Sequence, residues 1–138
     1  MNINKYCSNS HATHTKQPVD QNCPIEYTIE LIGTKWSIGI LRELLNGDRR
    51  THELAEALPG ISSKTLTLRL RTLEKHGTIR RKVYAEIPPH VEYSITEKGR
   101  ELQPAIAILK QVGQRLLSQE DAFHPLKLNS EVQQRKEA

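Results

Sequence analysis

The stretch from Ser62 to Lys82 constrains the fold more than any other part of the chain. Leu66, Leu70 and Leu73 recur at i, i+4 and i+7, and Gly77 ends the run, so the spacing predicts one amphipathic helix over Ser63–His76. Ser62 stands where its hydroxyl accepts a hydrogen bond from an early helical N–H, a cap contributing about 1 kcal/mol. Turning about 100° per residue from Leu66 puts Lys64, Thr67, Leu68, Arg71 and Lys75 on the side opposite the leucines. Between Ser62 and Lys82 lie seven basic residues (Lys64, Arg69, Arg71, Lys75, Arg80, Arg81, Lys82) and one acid, Glu74, in a chain whose net charge is only +4. A solvated helix face is usually mixed in sign. A one-signed block on a near-neutral remainder is the footprint of a polyanion binder.

The neighbours of this helix give it a context. Before it, Leu54, Ala57 and Leu58 mark a short helix ended by Pro59-Gly60. After it come two strand-like runs, Ile79–Ile87 and Val91–Ile95, separated by the rigid turn Pro88-Pro89-His90. A short helix, a tight turn, a basic helix and a hairpin follow one another in a winged helix-turn-helix. The expected fold class is mainly α with a small β-hairpin wing (α+β). In such a fold the basic helix lies in the major groove of double-stranded DNA. Its Arg and Lys side chains donate to guanine O6 and N7, and Thr reaches phosphate or base edges. Leu68 either meets a thymine methyl or is a chance exposed leucine. Arg80, Arg81 and Lys82 at the base of the hairpin would meet phosphates, with His90 at its tip; the plainer reading makes the three a solvated strand edge.

Helices are also expected at the two ends. Cys23-Pro24 opens the first, because proline suits the first helical position, and Ile25, Ile29 and Ile32 recur along it as far as Gly33. Trp36, Ile40, Leu41, Leu44 and Leu45 mark a second, closed by Asn46-Gly47, with Trp36 read as core. A short extended piece follows at Arg49–Thr51. Thr96 caps a last helix reaching about Leu117, which Pro104 either kinks or truly begins. Its seam of Leu102, Ala105, Ile106, Leu109, Val112 and Leu116 is longer than one small domain needs. That makes the first and last helices a candidate homodimer surface, unless the seam merely covers its own core. The organisation expected is a flexible polar arm (1–22), one domain with its dimerisation helices (23–118) and a polar tail (119–138).

Composition excludes more than it assigns. No run approaches the roughly 18 apolar residues that span a bilayer, and the start of the chain lacks the apolar core of a secretory signal. A cytoplasmic, nucleoid-associated protein without membrane partners is therefore expected. Two cysteines, Cys7 and Cys23, are too few for a disulfide scaffold, and the six histidines are scattered rather than set at metal-ligand spacing. His52-Glu53 opens like a zincin helix, but Glu56 stands where the second histidine would be. With no nucleophile elbow and no phosphate-cradling glycine loop, neither an enzyme nor a metal or cofactor is expected.

Several motifs, taken together, resemble one family. Cys23-Pro24-Ile25, then Ile32-Gly33-Thr34-Lys35-Trp36, then Leu58-Pro59-Gly60-Ile61-Ser62 leading to Lys64, Leu66-Thr67, Leu70 and Leu73-Glu74, are similar to the HxlR-type winged-helix regulators. So are Val83-Tyr84, Ile87-Pro88-Pro89, Val91-Glu92-Tyr93 and Thr96-Glu97-Lys98-Gly99. Thr51 and Val112 replace aromatic residues common at those places in the family. The resemblance implies a bacterial transcriptional regulator that binds an inverted-repeat operator as a dimer. It implies a recognition helix at Ser63–Lys75, which adds Ser63 to the candidate DNA contacts, a wing at Arg81–Ile95, and a dimer built by the first and last helices. Some members respond to quinones, aldehydes or oxidants through a cysteine just before the first helix. Cys23 matches that position, and a helix N-terminus favours the reactive thiolate of a redox or electrophile sensor. Cysteine is equally acceptable there as an inert residue. The alternative function is a winged-helix protein-interaction module without DNA.

Overall fold

The computed structural model describes residues 23–123, and the expected arm with Cys7 and most of the expected tail lie outside them. The described residues divide into two compact units, 23–101 and 102–123.

The first unit begins with α1 (Pro24–Ile32) and α2 (Lys35–Leu45). The Thr34 hydroxyl accepts from Ser37 N–H at 3.1 Å, starting α2 with the side-chain cap that α1 lacks at Cys23. A two-residue strand, β1 (Arg49–Arg50), leads directly into α3 (Thr51–Ala57). Then comes α4 (Ser63–Lys75), entered through Gly60, whose φ of +87° is one that side-chain-bearing residues rarely adopt. Ser62 caps α4 as expected, its hydroxyl accepting from Thr65 N–H at 3.1 Å. The helix stops in a Schellman arrangement: Gly77 N–H donates to Glu74 O at 2.9 Å and Thr78 N–H to Leu73 O at 3.1 Å, with Gly77 at φ +72°.

The strands β2 (Ile79–Tyr84) and β3 (His90–Ile95) form an antiparallel hairpin, and β1 pairs on the far side of β3 to give the order β1-β3-β2. β2 stops three residues short of the expected Ile87, because Pro88 and Pro89 cannot donate to the ladder. The core lies between the helices and the inner face of this sheet: Ile40, Leu41, Leu44, Leu54, Leu66, Leu70 and Leu73 meet Ile79, Tyr93 and Ile95, all buried. Each fully buried leucine contributes about 2 kcal/mol by removal from water. Trp36, read as core, is only half-buried and sits at the rim beside Gly60. Ile25 and Ile29 are 44% and 56% exposed, so α1 buries only Leu31 and Ile32 of its apolar residues. The unit closes with α5 (Glu97–Arg100), capped by the Thr96 hydroxyl accepting from Gly99 N–H at 3.1 Å. The small sheet, the paired helices α3 and α4 and the β2–β3 wing are a winged helix-turn-helix.

The second unit is α6 (Gln103–Phe123). Pro104 stands in its first turn and is its start rather than a kink. Ile108, Leu109, Val112, Leu116 and Leu117 are each exposed on it. No described helix is long and apolar enough to cross a membrane.

Candidate nucleic-acid interface

Burial of Leu66, Leu70 and Leu73 fixes which way α4 faces. Lys64, Thr67, Leu68, Arg71 and Lys75 are all exposed, as the helical spacing predicts for the opposite side, and Ser63, the first residue of α4, is exposed as well. Leu68 is 55% exposed, an apolar group set among cations and hydroxyls. Thr72, on the flank, turns its hydroxyl back to Leu68 O at 2.9 Å.

The hairpin separates three residues that are consecutive in sequence. The register pairs Arg80 with Ser94, Arg81 with Tyr93 and Lys82 with Glu92. Cross-strand partners share a face and successive residues alternate, so Arg81 lies on the side of buried Tyr93, whereas Arg80 and Lys82 lie on the outer side. Lys82 Nζ sits 4.6 Å from the Tyr84 ring centroid, and Tyr84 in turn stacks on His90 with centroids 4.5 Å apart. The Tyr84 hydroxyl donates to Glu92 Oε1 at 3.3 Å, and Glu86 Oε2 lies 3.3 Å from His90 Nδ1. His90 is thus the first residue of β3, one step inside the hairpin, and the projecting tip is residues 85–89 with Ile87 fully exposed.

Two cations escaped the sequence reading. Arg50 of β1 pairs with Glu92 and so stands on the outer face of the sheet, on the other side of Glu92 from Lys82. A two-residue strand has no periodicity to read, so the pairing was invisible in sequence. Lys98 of α5 reaches the end of α4: its Nζ donates to His76 O at 2.7 Å and to Tyr27 Oη at 2.9 Å. Nearby in chain order to Arg50, Glu53 accepts from Arg50 N–H at 2.6 Å. That backbone hydrogen bond, helped by the charges of His52, Arg49 and Arg50, holds the Glu53 carboxyl below its ordinary range.

Cys23 is buried at the N-terminus of α1, where its carbonyl accepts from Tyr27 N–H at 3.0 Å. Its sulfur is in a disulfide rather than a thiolate. No group of three or more His, Cys, Asp or Glu among the described residues is placed to hold a metal ion.

Comparison with known proteins agrees with this geometry. Residues 31–121 match the model of the HxlR-like helix-turn-helix family. The chain is 57% identical over 98 residues to an uncharacterised HTH-type transcriptional regulator, sll1512, of Synechocystis, covering 71% of this chain and 73% of that one. The crystal structure of the HTH-type protein ytcD matches with a TM-score of 0.66 at 42% identity, over 69% of this chain and 97% of that one. The redox regulator HypR in its oxidised form matches with a TM-score of 0.63 at 41% identity, over 67% and 96%.

Proposed function

Because the chain belongs to the HxlR-like helix-turn-helix family of transcriptional regulators, and is not an enzyme, we propose that it binds an inverted-repeat operator in double-stranded DNA as a homodimer. The observation that carries this is the outer face of α4, where Lys64, Thr67, Leu68, Arg71 and Lys75 are exposed above a buried leucine stripe. Ser63 and these side chains read the major groove, while Arg80, Lys82 and His90 on the wing meet the backbone; Arg81, on the other face, contributes at the edge. The exposed isoleucines of α1 and the exposed apolar residues of α6 form the dimer contact. Two reading helices about 34 Å apart then engage successive half-sites. The protein works in the cytoplasm, on the nucleoid.

A second observation bears on regulation. Cys23 is disulfide-bonded at the start of α1, and the redox regulator HypR has the same fold at 41% identity. The disulfide is the oxidised form of Cys23; in the reduced form its thiolate is the site at which a two-electron oxidant re-forms the disulfide, or a small electrophile adds to the sulfur, and so alters DNA affinity. Fluorescence anisotropy with duplex from the upstream region of the chain's own gene, against a scrambled duplex, tests both parts. Binding that prefers the upstream duplex and weakens with salt is expected, together with a redox effect absent from Cys23→Ser. Failure to bind either duplex at low salt would sink the DNA reading and favour a protein-interaction module.

A further inference from the structure

The C-terminal end of the reading helix is tied to α1 by Lys98. Its Nζ donates to the carbonyl of His76, the C-cap of α4, and to the hydroxyl of Tyr27 on α1, and it lies 5.6 Å from the Tyr27 ring centroid. A second link runs beside it, with His76 Nε2 4.0 Å from Glu30 Oε1 on α1.

The platform that carries Lys98 is rigid. The Thr96 hydroxyl donates to Gly77 O at 2.6 Å, and Thr96 N–H donates to Thr78 O at 3.1 Å. Gly99 lies so close to the Thr78 carbonyl that a Cβ has no room. Thr78 is itself fully buried, with its hydroxyl donating to Leu73 O at 2.9 Å. α5 and the end of α4 therefore move as one body, and Lys98, beside the His76–Glu30 contact, ties the middle of α1 to that body. α1 is otherwise held at its ends, by buried Cys23 before it and by buried Leu31 and Ile32 in its last turn, whereas Ile25 and Ile29 between them are exposed.

We propose that Lys98 is a positioning residue that fixes the angle between α1 and α4, and through it the half-site spacing the homodimer selects. The inference rests on the proposed dimeric DNA binding. With α1 in the dimer contact, a change in its angle to α4 alters the separation of the two reading helices. Adding one base pair to an operator shifts a half-site by about 3.4 Å and rotates it by about 35°, so a modest loosening of the joint is enough to blur spacing. Of the residues that read one half-site, Lys64, Thr67, Leu68 and Arg71 lie farther along α4, and only Lys75 lines the same pocket as Lys98 and Tyr27.

The test uses the full chain with Lys98→Met, which keeps the stem, and Tyr27→Phe, which removes only the hydroxyl. Each is titrated against a duplex bearing one half-site and against inverted repeats whose spacing changes one base pair at a time. Single-half-site affinity is expected to stay within about twofold of the parent, while preference for the best spacing falls about fivefold in both variants. An unchanged spacing profile overturns the proposal. So does an equal loss on the single half-site and on every repeat, which would mark Lys98 as merely structural. A parent protein that binds no duplex, or binds all spacings alike, overturns the dimeric operator reading as well.

Discussion

Lys82 and Tyr84 leave β2 on the same face, with the lysine Nζ 4.6 Å from the tyrosine ring centroid. The contact holds an exposed cation in one attitude, and the ring is fixed in turn by stacking on His90 and by its hydroxyl bond to Glu92. Arg81, next to Lys82 in sequence, has no such place because it projects from the opposite face. Lys82→Ala should weaken binding uniformly across DNA sequences and reduce the slope of log affinity against log salt by about one unit. Arg81→Ala should change that slope less. Salt titrations of both variants check the difference, and equal slopes would count against a phosphate track on the outer face.

Arg71 stands at the centre of the exposed face of α4, one residue beyond buried Leu70. Its guanidinium has the geometry for a bidentate contact to guanine. Arg71→Ala should lower affinity for the preferred operator about tenfold and relax preference at one base position, with a smaller effect on random DNA. Competition binding with operators substituted one base at a time measures this. Equal losses on operator and random DNA would place Arg71 on phosphate instead.

Glu53 gives a pH dependence whose sign is fixed by its hydrogen bond. The Arg50 N–H holds the carboxyl below its ordinary range in the folded protein, with His52, Arg49 and Arg50 adding to the effect. Its contribution to stability is therefore present above the ordinary carboxylate pKa and is lost as pH falls through the lower folded value. Glu53→Gln should flatten the acid limb of the Tm-against-pH curve and leave its alkaline limb unchanged. Thermal melts across the acid range are the check.

Gly99 packs against the Thr78 carbonyl and the Ile95 side chain with no space for a methyl group. Because the obstacle is backbone, it cannot swing aside. Gly99→Ala should destabilise the fold by roughly 2–3 kcal/mol and lower Tm by about 10 °C. Gly113→Ala is the contrast, since nothing stands within 4 Å of a Cβ there. It should leave Tm unchanged or raise it slightly, helix propensity favouring alanine. Calorimetry on the pair decides whether the Gly99 contact is as tight as the geometry requires.

Much of this protein follows from short-range pattern. The stripe Leu66, Leu70, Leu73 fixed α4, its inward face and hence its basic outward face, because helical side-chain direction depends only on spacing. Ser62, Thr96, Gly60 and Gly77 marked where helices begin and end, because caps and positive φ are local demands. Pairing decided the rest. Arg80, Arg81 and Lys82 read as one basic run until the register with Ser94, Tyr93 and Glu92 divided them between two faces. Arg50 joined the outer face only through a two-residue strand too short for any period to reveal. Lys98 in sequence is one charge in a solvated turn. Its tie to Tyr27 and His76, 71 and 22 residues away, exists only because folding brings α1, α4 and α5 together. Local spacing sets what a helix presents, whereas contacts between distant segments depend on packing that no single stretch of sequence encodes.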